Sequence, residues 1–137
     1  MVDEGRVARL LRGVSDRTAR LRDAAVMAEA DRGPLWLDAV KYLLVTTVEA
    51  CVDIAQHIGS SESFPSPDSN ADAIRLLGER GVIPAELAAS LARAVGFRNV
   101  LVHQYTAVDD VIVVASLARL HEFDDFVAHV SAWVVGR

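Results

Sequence analysis

The chain has 137 residues, of which 52% are hydrophobic and only 6% aromatic, so Ala, Val and Leu must fill its core. This composition favours closely packed helices over a β-sandwich, and the length suits one domain, residues 1–137, that folds without disulfides or metal. The net charge of -5 argues against a protein that coats nucleic acid indiscriminately, since such binding depends on many Lys and Arg contacts to phosphate.

The positions of the basic and sulfur-containing residues further limit the kinds of protein that this chain can be. Lys41 is the only lysine and Cys51 the only cysteine, so an internal disulfide is excluded. Six arginines crowd the first predicted helix beside acidic residues, which indicates a solvated face: Arg6, Arg9, Arg12, Arg17, Arg20 and Arg22. Neither a signal-peptide core nor an apolar run near the ~18 residues of a membrane span occurs. We therefore expect a cytoplasmic protein without membrane attachment.

Hydrophobic spacing predicts two long helices in the first half of the chain. The first covers about residues 3–30 and ends at the DRGP turn. The second covers about residues 34–58, with Pro34 in its first turn and Gly59 as its C-terminal cap. Two neighbouring apolar rows run along this second helix, which predicts a central helix that is covered on two sides.

The second half of the chain predicts three more helices after a Ser- and Pro-rich loop, GSSESFPSPDSN. A short helix over residues 71–80 has Ser69 or Asn70 as its cap, and the next helix opens at Pro84. The last helix covers about residues 109–135; its VIVV run is kept helical because no partner strand is visible. The predicted fold is an all-α bundle of about five helices.

One possible metal site lies on the last predicted helix. His121, Asp125 and His129 follow at intervals of four, the spacing of two histidines and a carboxylate on one helical face. At ~100° per residue, however, His121 and Asp125 point away from the stripe that contains Phe123 and Phe126, so we interpret them as solvated and predict no metal.

Glu49 and Asp53 lie one turn apart on the predicted central helix. If that helix is covered on all sides, the two carboxylates need a cationic partner, because a buried unpaired charge is costly. An arginine from another segment or another subunit is the natural candidate. Exposure of both carboxylates to water is an equally open alternative.

The polar side chains of GFRNVLVHQY, residues 96–105, carry the strongest sign of chemistry. Arg98 and His103 are five apart, which places them ~140° apart on a regular helix, so they cannot simply face each other. A distorted helix end, or a two-fold axis that sets this motif against its copy, could bring them together. Histidine can move a proton and arginine can stabilise charge on phosphoryl oxygens, which suits phosphodiester cleavage without metal.

The segment RNVLVHQY matches the R-x-x-x-x-H-x-Y motif of the HepT-like ribonuclease toxins in the HEPN superfamily. VEACVDIAQHI resembles the second-helix signature of that family, and the resemblance covers about residues 42–111. It implies a dimerising HEPN-type bundle and a metal-independent endoribonuclease that needs no cofactor. It also implies that Arg98 and His103 are the catalytic pair, in a cleft between two subunits.

The resemblance further implies three partners: an RNA substrate, a second copy of the chain or a higher homo-oligomer, and a minimal nucleotidyltransferase antitoxin. Such antitoxins neutralise their toxins by adding AMP to the motif tyrosine, here Tyr105. We predict that Asn99 orients one of the catalytic side chains and that Asp53 or Glu49 holds Arg98. Two alternatives stay open: a non-catalytic HEPN module that binds or regulates a nucleotidyltransferase, and a helical scaffold in which the Arg and His are an internal polar pair.

Overall fold

The computed structural model describes residues 1–137, which form six α-helices and two short 3-10 helices. The α-helices are α1 (Glu4–Ala25), α2 (Trp36–Ser61), α3 (Asn70–Glu79), α4 (Ala85–His103), α5 (Asp110–Ser116) and α6 (His121–Val135). The 3-10 helices are Glu29–Asp31 and Leu117–Arg119. No residue lies in a strand, so the all-α prediction is confirmed.

Helix α1 begins where Asp3 caps it. The Asp3 side chain accepts a hydrogen bond from the backbone N–H of Arg6 at 3.0 Å, and this bond lowers the pKa of the carboxyl. The backbone N–H of Asp3 donates to Nε2 of His57 at 2.9 Å, which ties the start of α1 to the end of α2. The prediction that α1 runs to residue 30 is wrong, because the helix ends at Ala25 and a 3-10 turn follows.

Helix α2 is central, as its two apolar rows predicted, and it contacts α1, α3, α4 and α5. It begins at Trp36, whose indole N–H donates to the carbonyl of Ala24 at 3.1 Å. The predicted end at Gly59 is wrong. Gly59 stays helical and the helix reaches Ser61, because the turn out of the helix is made at Ser63, with φ of 57°.

Helices α3 and α4 form a tight antiparallel pair beside α2. Ser69 caps α3 by accepting from the backbone N–H of Asp72 at 3.1 Å. Gly81, with φ of 77°, makes the turn that follows. Gly78 lets the two helices approach closely, since a Cβ at this position would lie 2.6 Å from the Cβ of Ala88.

The predicted last helix is divided into α5, a 3-10 turn and α6, so the bundle has six α-helices and not about five. The break follows the VIVV run, whose β-branched residues are poor helix formers. It is sharpened by Ser116, whose hydroxyl donates to the carbonyl of Val113 at 2.6 Å. The break leaves Val113 fully buried while Val111 and Ile112 remain exposed.

All six α-helices contribute to one hydrophobic core, in which Leu21, Ile54, Ile74 and Phe126 are among the largest fully buried side chains. Burial of Cys51 in this core raises the pKa of its thiol to about 12, so the group is an unreactive apolar filler at neutral pH. None of the helices is both long and apolar enough to cross a membrane.

Candidate functional site

The polar motif occupies the last turns of α4 and the loop that follows. The helix keeps its backbone hydrogen bonds through His103: the N–H of Gln104 still donates to the carbonyl of Val100, at 2.8 Å. Loosening begins only at Gln104, with φ of -132° and ψ of 40°. Within one chain, Arg98 and His103 therefore diverge as on a regular helix and share no hydrogen bond.

Arg98 is held by two neighbours. One terminal nitrogen, Nη2, donates to Oε1 of Glu49 at 2.5 Å, and the other, Nη1, donates to Oδ1 of Asn99 at 3.1 Å. The side chain is only 22% exposed, and its Nε is shielded from solvent without a hydrogen-bond partner. The guanidinium is thus a fixed positive charge that retains donor capacity for an incoming acceptor.

A polar groove of about 340 Å³ runs between α2 and α4 beside Arg98. Its polar walls are Glu49, Asp53, Gln56, Asn70 and Arg98, with Gln56 donating to the Asn70 side chain at 3.0 Å. Asp53 is exposed and forms no ion pair. Of the two carboxylates suggested by the sequence, the structure places only Glu49 against the arginine.

A second cavity, of about 130 Å³, lies on the other side of Arg98 between α2, α4 and α6. Its walls are mainly apolar, and Arg93 and Arg119 line it without any ion pair. At its rim the Ser90 hydroxyl donates to Oε2 of Glu122 at 2.5 Å. Arg98 therefore lines both the polar groove and this second cavity.

His103 is the last residue of α4, and its exposed imidazole makes no hydrogen bond in the structure. The unpaired carbonyls at a helix C-terminus favour a positive charge there. An imidazole has one nitrogen that can donate a hydrogen bond and one that can accept it, so this exposed side chain has the groups that a general acid or base needs.

Tyr105 folds back onto the first turns of α2. Its hydroxyl donates to Oδ1 of Asp38 at 2.7 Å, and the Lys41 ammonium lies 4.5 Å from the centre of its ring. Lys41 in turn pairs with Asp110 at the start of α5, at 3.2 Å. The bond to Asp38 raises the pKa of Tyr105, with smaller contributions from desolvation and from the charge of Asp110.

Sequence reasoning missed the partners of Tyr105. Asp38 and Lys41 lie more than sixty residues before the tyrosine, and no spacing rule connects them. One signal was available: the only lysine of the chain lies on the largely apolar central helix, where a buried ammonium needs an anionic partner.

The remaining candidates lie apart from this region. His121, Asp125 and His129 are exposed on α6, and no group of three or more His, Cys, Asp or Glu side chains is placed to hold a metal ion. Arg22 of the arginine-rich α1 pairs with Asp124 of α6 at the surface.

An all-helical bundle that carries R-x-x-x-x-H-x-Y at the end of its fourth helix defines a HEPN-type protein. The chain belongs to the ribonuclease HepT-like family, whose model matches residues 14–130. It is 33% identical over 96 residues to the mRNA nuclease HepT of Shewanella oneidensis, which covers 69% of this chain and 72% of that protein. It is 30% identical over 94 residues to the tRNA nuclease HepT of Aphanizomenon flos-aquae, covering 68% of this chain and 64% of that protein.

A solved structure shows the same fold. The tri-AMPylated HEPN toxin of Shewanella oneidensis, in complex with its MNT antitoxin, superposes with a TM-score of 0.85 at 27% identity. The alignment covers 96% of this chain and 99% of that chain. The HEPN-type helical bundle that the sequence resemblance predicted is therefore confirmed along nearly the whole chain.

Proposed function

We propose that this protein is an endoribonuclease toxin that a nucleotidyltransferase antitoxin neutralises. The observation that carries the proposal is the complete motif at the end of α4 and in the loop that follows, with Arg98 fixed by Glu49 and His103 exposed at the helix end. The comparisons support it, since two relatives are named as HepT nucleases and a similar solved structure is a HEPN toxin in complex with its antitoxin.

In the proposed mechanism, the 2'-hydroxyl of RNA attacks the adjacent phosphorus, and the bond from phosphorus to the 5'-oxygen of the next nucleotide breaks. His103 is the general acid or base for the protons of these two oxygens, and Arg98 stabilises the charge on the phosphoryl oxygens. The products are a 2',3'-cyclic phosphate and a free 5'-hydroxyl, which end-group analysis of cleaved RNA identifies.

Dimerisation would supply what a single chain lacks. Arg98 and His103 diverge within one protomer, so a two-fold axis near the end of α4 would let two motifs line one cleft. Asn99 supports the site by holding Nη1 of Arg98, and Glu49 supports it by holding Nη2.

The nuclease test compares cleavage of RNA by purified wild-type protein, His103→Ala and Arg98→Ala. His129→Ala and Arg20→Ala, which change exposed residues of the same types elsewhere, are the matched controls. We expect both motif variants to lose about 100-fold or more in rate and both controls to retain full activity. Equal cleavage by all five proteins would reject the proposal, whereas a wild type without nuclease activity that still binds the antitoxin would favour the non-catalytic module.

Neutralisation is proposed to occur by AMP addition at Tyr105, which is 42% exposed and two residues from His103. A phosphodiester on Tyr105 puts negative charge beside His103, where the proposed mechanism places the RNA backbone, so the attached AMP and the RNA compete for this position. Mass spectrometry after incubation with the antitoxin and ATP should locate AMP on Tyr105 and not on Tyr42.

A further inference from the structure

The hydroxyl group of Tyr105 is already bonded to a carboxylate of its own chain. The Tyr105 hydroxyl donates to Oδ1 of Asp38 at 2.7 Å, a distance at which a proton can pass directly between the two groups. Both side chains are exposed at the surface, so a partner enzyme can approach the phenolic oxygen without opening the fold.

We propose that Asp38 is the general base for transfer of AMP to Tyr105, so that the toxin supplies part of the catalytic apparatus for its own modification. This inference rests on the proposed function, because it requires Tyr105 to be the acceptor. The phenolic oxygen attacks the α-phosphorus of a nucleoside triphosphate held by the nucleotidyltransferase, and an O–P bond forms. The bond from the α-phosphorus to the bridging oxygen breaks, pyrophosphate leaves with the electron pair, and the phenolic proton passes to Asp38.

The need for a base follows from the chemistry of a phenol. A tyrosine with the ordinary pKa of 10.0 is protonated at neutral pH, and the bond to Asp38 raises the pKa of Tyr105 further. A phenol attacks phosphorus poorly unless its proton is removed as the new bond forms. Asp38 is the group in hydrogen-bond contact with that proton.

Lys41 and Asp110 keep the acceptor in place. The ammonium of Lys41 lies 4.5 Å from the ring centre of Tyr105 and is itself held by Asp110, so the ring cannot easily swing away from α2. Tyr42 provides the contrast: it is next to Lys41 in sequence and well exposed, but its hydroxyl has no hydrogen-bond partner. Exposure alone therefore does not distinguish the two tyrosines, whereas a bound carboxylate does.

The test measures the single-turnover rate of AMP incorporation by the antitoxin with ATP for wild type, Asp38→Asn, Asp38→Ala and Tyr42→Phe. The amide of Asp38→Asn keeps an acceptor for the hydroxyl but cannot take its proton, so it separates positioning from base catalysis. We expect Asp38→Asn and Asp38→Ala to be slower by about 100-fold and Tyr42→Phe to match wild type. Thermal melting of each variant checks the fold.

A rate for Asp38→Asn within about threefold of wild type would overturn the proposal, because positioning alone would then suffice. If Asp38→Asn does not fold, Asp38→Glu and Asp38→Gln replace it, because these two variants differ only in whether the side chain ends in a carboxylate or an amide. Equal rates of AMP incorporation for the two would overturn the proposal. A faster rate for Asp38→Glu would support it. Failure of the proposed function gives a different result from failure of the Asp38 proposal, because the wild-type protein itself then gains no AMP at Tyr105.

Discussion

In the proposed mechanism, Arg98 meets the RNA phosphate with a guanidinium group whose orientation is already set. Glu49 and Asn99 hold its two terminal nitrogens, so little reorganisation is needed when negative charge develops on a phosphate. Loss of one holder should therefore reduce the rate of the chemical step more than it reduces RNA binding.

This argument gives a prediction for Glu49→Gln. The amide keeps the size of the side chain but weakens the bond to Arg98 from charge-assisted to neutral, so we expect kcat for RNA cleavage to fall about 10-fold with little change in KM. Steady-state cleavage of a short RNA measures both constants. Asp53→Asn, on the same helix face without a bond to Arg98, should cost less than about 2-fold. Equal losses for the two variants would contradict a specific role for Glu49.

Titration of Tyr105 tests the bond to Asp38 directly. The chain has two tyrosines, so the phenolate absorbance of Tyr42→Phe reports Tyr105 alone. We expect its pKa above the ordinary 10.0, and we expect Asp38→Asn to shift it back down. Because the folded-state pKa is raised, the bond stabilises the protein below pH 10.0, and this stabilisation is lost as the pH rises through the folded value. An unshifted titration in both proteins would show that the bond is absent in solution.

At the level of single residues, the sequence indicates candidate side chains for the site but does not indicate which partners they contact. The spacing of Glu49 and Asp53 puts both on one face of α2, and nothing in that spacing could show which one Arg98 reaches. The contacts of Tyr105 with Asp38 and Lys41 depend on how the loop after α4 folds back, which local patterns do not encode.

Among the helices, the spacing between α3 and α4 depends on one glycine, Gly78, which has no side chain to keep them apart. Gly78 faces Ala88 so closely that an added Cβ would lie 2.6 Å from the alanine Cβ. Gly78→Ala must push the helices apart, and we expect it to lower the free energy of unfolding by about 1–3 kcal/mol. Chemical denaturation followed by circular dichroism measures the change.

Gly96→Ala is the matched comparison, since it makes the same change within α4. A Cβ there meets no other atom within 4 Å, and alanine is the better helix former, so we expect a stabilisation of about 0.5–1 kcal/mol. If both substitutions destabilise the isolated protomer equally, the close approach at Gly78 is not the cause.

Boundaries of the helices were harder to predict than their existence. The apolar spacing continues from residue 109 to residue 135, so the sequence offered no reason to divide the segment into α5 and α6. The division depends on which valines find space in the core, and Val113 is buried while its neighbours are not. Packing of this kind is decided by other helices, whereas the capping of α1 by Asp3 is local and could be predicted more easily.

For the molecule as a whole, several exposed apolar side chains lie near the end of α4 and the start of α5. Val111 is 74% exposed and Ile112 is 55% exposed, and Val100 and Val102 are also exposed nearby in sequence. These four residues lie within the motif or shortly after it in sequence, and exposed apolar residues that form a patch are typical of a surface that another chain covers. They support a dimer axis close to the motif.

We therefore expect Ile112→Glu to weaken dimerisation and nuclease activity together. A charge placed in an apolar contact is costly, and the proposed cleft requires two motifs. Analytical ultracentrifugation and RNA cleavage at matched concentrations measure the two effects. Val135→Glu, at a more exposed position at the C-terminal end of α6, should change neither. A monomeric Ile112→Glu protein with full activity would contradict the shared cleft.

The overall architecture could be predicted from the sequence because it depends on patterns that extend over many residues. The apolar rows of α2 predicted its central place, and its contacts with four other helices confirm it. The motif resemblance predicted the family, which the match over residues 14–130 confirms.

The one lysine of this chain has a consequence for its regulation. The Lys41 side chain is only 7% exposed and lies between Asp110 and the ring of Tyr105, so no side-chain amine is open to an acylating enzyme or reagent. Guanidinium groups provide all the other basic side chains, and they do not undergo acetylation of that kind. Lysine acylation therefore cannot adjust the positive charge of this protein, and any covalent control has to act on other groups, such as the exposed hydroxyl of Tyr105.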